Sequence, residues 1–330
     1  MSSTRENVSR FFKQFKSSAK VLVIINADPD AIASAMAVKR LLWRKVSEVA
    51  IAHFNRISRP DNLTLIQLTE PGLKNLADVD KSGFDNFIIV DSQPDHNEAF
   101  PGITYTAIID HHPVSSPEAA YSDIRPGYGT CSTILTEYLK SWKIKPSPKL
   151  AAALMMGIKT DTSDFTRQST IKDIRAFQYL YKFADNNIVT KVERAFFTDE
   201  DLDFLGNAIK KRRVKNNRVF YHAGKISKPD ELVVVADFFL TIAGINWSVV
   251  SGVMDRKLIV ILRNDGLRKG AGNTAKEAFS QYGSAGGHKT MARAELSLHL
   301  IRKDTGSVAQ KVLADWIMDR IAKTAGKKIE

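Results

Sequence analysis

Three apolar runs in this 330-residue sequence each end on acidic or imidazole side chains. Residues 21–25 are followed by Asn26-Ala27-Asp28-Pro29-Asp30, residues 87–90 by Asp91, and residues 106–109 by Asp110-His111-His112. In a fourth segment, Gly157-Ile158-Lys159-Thr160-Asp161-Thr162, Asp161 follows a helix-length run that Gly157 is expected to stop. Carboxylates and imidazoles gathered in one place repel or compete unless cations balance them, so the pattern calls for metal. Mixed Asp and His donors suit Mn2+ or Mg2+ better than structural zinc. Two such ions about 3.5–4 Å apart form a common hydrolytic clamp on phosphate, and they lower the pKa of a bound water toward ~7. That chemistry requires no protein nucleophile.

Taken singly, each piece has an ordinary explanation. Asp-Pro-Asp is most often a turn or a helix cap, and an isolated His-His pair is usually structural. Their conjunction, in order and at successive run ends, is what points to a site. His53, His96, His222 and Asp95 have no such context, Asp164 has only its proximity to Asp161, and none of them is assigned a role.

The elements that position these residues follow from periodicity. Strand character is expected over 21–25, 49–53, 87–90 and 106–109, separated by helix-length segments at 34–46, 130–142, 148–156 and 171–184. This alternation predicts a doubly wound, mainly parallel sheet, in which ligands bind beyond the carboxyl ends of the strands. Residues 190–216 read as a charged helical connector, because Phe196, Phe197, Leu202, Leu205 and Ile209 recur at roughly helical spacing. The domain boundaries are therefore expected at 1–189 and 217–330. The second domain reads as a smaller α/β unit with strands at 218–222, 248–254, 257–263 and 291–298 and helices at 229–241, 274–282 and 308–322.

Composition narrows the partners. Forty-eight basic residues against thirty-six acidic ones give a formal net charge of +12, which favours a polyanion. The densest basic stretch is Lys210, Lys211, Arg212, Arg213, Lys215 and Arg218. It reads equally as a phosphate track or a solvated face. The apolar runs fall well short of the ~20 residues that span a bilayer, and the N-terminus has no apolar signal core, so the cytoplasm is the expected location and no membrane partner is expected. The single cysteine, Cys131, excludes an internal disulfide and reads as a small buried residue. Residues 5–16 place Val8, Phe11, Phe12 and Phe15 on one face of an amphipathic helix that docks on its own domain or on a partner.

These motifs resemble the DHH phosphoesterase family, whose namesake motif stands here as Asp110-His111-His112, and the similarity runs over almost the whole chain. Asp28-Pro29-Asp30-Ala31-Ile32-Ala33-Ser34 is similar to the family's first motif, Asp91 to its second and Gly157-Ile158-Lys159-Thr160-Asp161-Thr162 to its fourth. The second domain resembles the DHH-associated C-terminal domain, through Ser284-Ala285-Gly286-Gly287-His288 and through Arg263 at the end of a strand. The resemblance implies that Asp28, Asp30, Asp91, His111 and Asp161 hold up to two ions of Mn2+ or Mg2+. It further implies that Asp110 orients a histidine, that His112 contacts the substrate phosphate, and that Arg263, Gly286, Gly287 and His288 grip a phosphate or base.

The branch most similar is that of oligoribonucleases and 3′-phosphoadenosine 5′-phosphate phosphatases. It implies a metal-dependent hydrolase acting on short single-stranded RNA or DNA or on a small nucleotide, and a homodimer is compatible with it. A RecJ-like single-strand exonuclease is the second enzymatic reading. One departure stands out. Many small-substrate members carry a histidine four residues before the first aspartate, where this chain has Ile24, with Asn26 two residues before it. An amide oxygen coordinates more weakly than a carboxylate, so the alternative from another class is a nucleotide- or RNA-binding member with weakened or no turnover.

Overall fold

The computed structural model describes residues 4–100, 102–115, 118–195, 197–267 and 269–325, in two compact units, Met1–Phe196 and Phe197–Glu330. Phe196, one of the apolar positions expected on the connector, lies outside the described residues. The first unit runs α1 (Thr4–Phe12), β1 (Lys20–Ile25), α2 (Pro29–Leu42), β2 (Glu48–His53), α3 (Pro60–Thr69), β3 (Leu73–Asn75), β4 (Asn86–Val90), β5 (Tyr105–Asp110), β6 (Ala119–Ile124), α4 (Cys131–Ser141), α5 (Pro148–Asp161), α6 (Ile171–Tyr181) and α7 (Asn186–Glu193). Its six strands are all parallel, in the order β3-β2-β1-β4-β5-β6. The order reverses between β1 and β4, the point where open sheets of this kind part to admit a ligand.

Alternation along β1 divides the core. Val21, Val23 and Ile25 face the helices, whereas Leu22 and Ile24 face a second cluster with Ala52, Ile89 and Phe100. The second cluster is closed by Leu76, Phe100 and loop residues, because the crossings from β3 to β4 and from β4 to β5 carry only one-turn 3-10 segments. Helix α1 docks on its own unit, with Val8 and Phe11 fully buried and the Phe11 ring 5.6 Å from Tyr121 and 6.3 Å from Tyr138. Cys131 is buried at the start of α4.

Two expected boundaries are corrected. Helix α2 starts at Pro29 and not at Ser34, since Asp28 caps it by accepting from the Ala31 N–H at 2.9 Å and Pro29 occupies its first position. Helix α5 does not stop at Gly157 but continues to Asp161, which is its last residue. Gly157 serves packing: a Cβ there would sit 2.4 Å from Ser132 Oγ and 3.0 Å from the Asp30 Cα. The glycine lets α5 close on α2 and on the start of α4.

The second unit runs α8 (Asp199–Lys211), β7 (Arg213–Lys215), β8 (Arg218–Lys225), α9 (Asp230–Leu240), β9 (Trp247–Met254), β10 (Lys257–Asn264), α10 (Ala271–Phe279), β11 (Gly283–Gly287), β12 (Met291–Ser297), α11 (Leu298–Thr305) and α12 (Gln310–Ala325). Its mixed sheet has the order β11-β12-β10-β9-β8-β7, and only β8 and β9 are parallel. Residues of α10 and α12 form a core with one face, and residues of α8 and α9 with the other. Within the segment read as a connector, α8 is fixed by a reciprocal cap between Thr198 and Asp201 and buries Leu205 and Ala208 in this unit's core. Among the described residues no helix is long and apolar enough to cross a membrane.

Gly157→Ala is expected to lower stability by about 1–3 kcal/mol, the usual cost of overpacking a tight helix contact. Urea unfolding checks this, and an unchanged midpoint would show that α5 has room to withdraw from α2.

Candidate metal centre

The crevice beyond β1 and β4 collects side chains from four elements. Donor atoms of Asp30, Asp91, His111 and Asp161 all lie within 4.8 Å of one another. His111 Nε2 is 3.3 Å from Asp91 Oδ1 and 3.3 Å from Asp161 Oδ2. Its other ring nitrogen, Nδ1, lies 3.4 Å from the Tyr128 carbonyl, which turns Nε2 toward the carboxylates. Asp91 follows β4 in a left-handed conformation, φ 60°, a region where Asp and Asn are tolerated better than most side chains. Asp30, fully buried, accepts from the Cys131 and Ser132 N–H groups at 2.7 Å each, so the amino end of α4 holds its carboxylate. Asp28 lines the open side of the same crevice with Asn26, Asp91, His112 and Asp161, around a cavity of about 280 Å3.

The electrostatics are those of a site awaiting positive charge. Burial raises the Asp28 carboxyl to about 6. Burial, followed by the neighbouring Asp161, raises Asp30 to about 6. Asp91 is pushed well above the carboxylate range by burial and then by Asp30 and Asp28. Burial opposes charging His111, but the Asp161 and Asp91 carboxylates against Nε2 outweigh it and lift the ring to about 12. Asp91 Oδ1 and His111 Nε2 are buried without an aligned hydrogen-bond partner. Oxygen donors and one imidazole, converging with orphaned atoms, fit a hard or borderline divalent cation.

The profile of the DHH family, N-terminal domain, matches residues 20–158. Residues 20–158 thus form an N-terminal domain of the DHH family. The chain is 33% identical over 317 residues to an uncharacterised protein of Methanocaldococcus jannaschii, covering 96% of this chain and 66% of that protein, so it spans just under two thirds of this relative's length. By fold it is similar to an exopolyphosphatase-related protein from Bacteroides fragilis, with TM-score 0.68, 16% identity, and 97% of this chain and 96% of that one covered. It is also similar to exonuclease RecJ bound to manganese, with TM-score 0.50, 12% identity, and 99% and 96% covered. Members of the DHH family are metal-dependent phosphoesterases.

The three residues of the DHH motif point in different directions. Asp110 ends β5 fully buried, and its Oδ1 accepts from the His111 N–H and faces His112 Nδ1, each at 2.8 Å. Its Oδ2 accepts from Gln93 Nε2 at 2.7 Å. Burial alone would raise Asp110, but the hydrogen bonds from His112 and Gln93 win and hold it below its ordinary value. The side chain it orients is thus His112, half exposed, while His111 turns inward.

Several participants escaped the sequence reading. Gln93 bridges the loops after β4 and β5, donating to Asp110 and Pro113 and accepting from Ser115. The His96 ring packs 5.6 Å from that of His112 and lines the crevice with Ser92 and Asn97. The polar run Ser92-Gln93 directly after an apolar strand was the available signal. The Cys131 and Ser132 amides left none, because backbone donors have no residue signature. Ile24 is fully buried in the cluster on the far side of β1, and Asn26 is the polar residue from that strand end lining the crevice.

In the second unit Arg263 Nε donates to Asp237 Oδ1 at 2.6 Å, on the α9 side of the sheet. His288 is exposed, with its backbone paired to Met291 and Gly272 at 2.8 Å each. Gly287 has φ 149°, and a Cβ there would fall 2.3 Å from the Met291 carbonyl; a Cβ on Gly286 would meet only Lys276 Cε at 3.5 Å. Packing therefore demands Gly287 and leaves Gly286 free of such a demand. No hydrogen bond or ion pair joins Arg263 to His288 among the described residues.

Asp91→Asn preserves shape and suits φ 60°, but it removes one of the crowded charges. Since burial and the neighbouring Asp30 and Asp28 penalise the charged form, the substitution is expected to stabilise the metal-free chain. It should also cancel the rise in Tm that Mn2+ gives the unaltered chain. Thermal unfolding with EDTA and with Mn2+ checks both; equal Mn2+ stabilisation of the two proteins would remove Asp91 from the centre.

Proposed function

We propose that the chain is a metal-dependent phosphoesterase that hydrolyses short single-stranded oligonucleotides from an end, or small nucleotides such as 3′-phosphoadenosine 5′-phosphate. The observation that carries this reading is the convergence of Asp30, Asp91, His111 and Asp161 within 4.8 Å at the strand-order reversal. The net charge of +12 and the similarity in fold to a manganese-bound exonuclease agree with an anionic nucleic-acid substrate.

In this reading Asp28, Asp30, Asp91, His111 and Asp161 hold up to two ions, Mn2+ ahead of Mg2+. A bound divalent ion supplies a water acidic enough to attack phosphorus and offsets charge on the phosphoryl oxygens. The chain's own residues do the rest. Asp110, held ionised by Gln93 and His112, fixes the His112 ring through Nδ1 and leaves Nε2 for a phosphoryl oxygen or a leaving-group proton. Arg263 serves substrate phosphate or base once it exchanges Asp237 for that anion. Ile24 supplies no ligand to the centre, because its side chain belongs to the opposite core.

Product analysis with Mn2+ tests the proposal, using a 5′-phosphorylated dinucleotide, a longer single strand and 3′-phosphoadenosine 5′-phosphate, with Asp91→Asn as control. Release of mononucleotide or phosphate is expected from the small substrates and not in the control. Efficient cutting of the long strand alone would favour a RecJ-like exonuclease. His112→Ala is expected to lower kcat by about 10²-fold or more, and Arg263→Ala mainly to raise KM. Binding of all three substrates without release would make the chain a nucleotide-binding member.

A further inference from the structure

Strands β1 and β2 keep parallel register to their ends, where Ile25 stands opposite His53. Just beyond, the same register brings Asn55 against Ala27, and there a side chain takes over from the backbone ladder. Asn55 Oδ1 accepts from the Ala27 N–H at 2.7 Å, and Nδ2 donates to the Ala27 carbonyl at 2.9 Å. A carboxamide offers a donor and an acceptor side by side, so it can occupy both peptide groups of one residue as a neighbouring strand would. The orientation of the amide follows, because an N–H needs the oxygen and a carbonyl needs the NH2. His53, the last residue of β2, holds the other end of this strut: its Nδ1 donates to the Asn55 carbonyl at 2.8 Å.

Ala27 is buried, so its peptide groups need partners within the protein. Its neighbours give the clamp its importance. Asn26 and Asp28, on either side of it, both line the crevice with Asp91. Asp28 is also the cap of α2. The strand order β3-β2-β1-β4 puts β2 on the side of β1 away from β4. Asn55 therefore holds the β1–α2 loop from behind, leaving the crevice side to Asn26 and Asp28. The backbone dihedrals of Ala27 decide where the Asp28 carboxylate lies relative to Asp91, and the clamp fixes them.

We infer that Asn55 is a positioning residue for the metal centre, setting the Asp28 carboxylate beside Asp91 by clamping Ala27 and acting on the metal through Asp28. This rests on the reading of the crevice as a metal centre.

The experiment is a double-mutant cycle on Mn2+ affinity in the full chain, with free Mn2+ measured by electron paramagnetic resonance. Asn55→Ala is expected to weaken binding by about 10–100-fold, the usual cost of removing a group that orients a ligand. Asp28→Ser keeps an oxygen to cap α2 but withdraws the carboxylate, and it should weaken binding too. In the Asp28→Ser background Asn55→Ala should change the affinity by about twofold at most, since a group that works through Asp28 has nothing left to place. Losses that multiply overturn the assignment, because a general loosening of the unit would produce them. Unaltered affinity in Asn55→Ala, or in Asp28→Ser, overturns it as well. Hydrogen exchange in EDTA supplies a metal-free measurement: in Asn55→Ala the Ala27 amide should lose its protection while residues 21–25 keep theirs. Unchanged exchange at Ala27, or protection lost along the whole strand, overturns the clamp; where Asp28→Ser leaves no Mn2+ binding to compare, this pattern decides. Absent Mn2+ binding by the unaltered chain would strike the centre and the inference together, whereas normal binding by Asn55→Ala strikes the inference alone.

Discussion

The first unit is organised around one buried carboxylate. Asp30 has no exposed surface, and both its oxygens receive N–H groups from the first residues of α4, while α5 passes over it at Gly157. Hydrogen bonds to a charged group contribute about 1.5–3 kcal/mol each, and the positive end of a helix adds to them. Even so, burial and Asp161 keep the Asp30 carboxyl raised to about 6. Three helices thus converge on a charge that their own donors satisfy only in part. The remainder is the field that a cation would answer, which ties the packing of α2, α4 and α5 to the chemistry of the crevice.

Burial alone does not decide which carboxylates take that role. Asp91 and Asp110 end neighbouring strands, and both are buried. Asp110 is surrounded by donors, from Gln93, His112 and the His111 backbone, and its pKa falls. Asp91 is surrounded by Asp30 and Asp28, and its pKa rises. Groups whose environments push their pKa values apart divide the labour of a site. Here one carboxylate anchors a histidine, and the other stands among carboxylates whose crowding a cation would relieve.

Four of the first unit's six strands were legible because a parallel sheet covered on both faces reads as continuous apolar runs. Each expected run there is a strand within one residue at either end. The acidic strand ends were legible through their conjunction, since one Asp or His after an apolar run is ordinary and three such ends in order are not. The start of α2 was misplaced because Asp28 is both cap and crevice residue, and the cap reading, though available, was not used to place the helix. Gly157 was misread because the local rule that glycine ends a helix cannot see Ser132, 2.4 Å from where its Cβ would lie. Strands β3, β6, β7 and β11 were missed: β3 and β7 are three residues each, β6 buries only Tyr121 and Asp123, and β11, Gly-Ser-Ala-Gly-Gly, has no alternation to detect. Gln93 and the α4 amides became visible only once the loops met.

The second sheet shows the same alternation deciding which face each polar side chain meets. Along β10, Leu258, Val260 and Leu262 belong to one core and Ile259 and Ile261 to the other, so Arg263 continues the face of Ile261 and meets α9. Along β8, Phe220 belongs to the α12 core and Val219 and Tyr221 to the other, so His222 continues the face of Phe220. A shift of one residue in either strand would exchange their surroundings. The basic side chain and the imidazole address different faces because the period of two, set by the apolar residues before them, leaves no alternative.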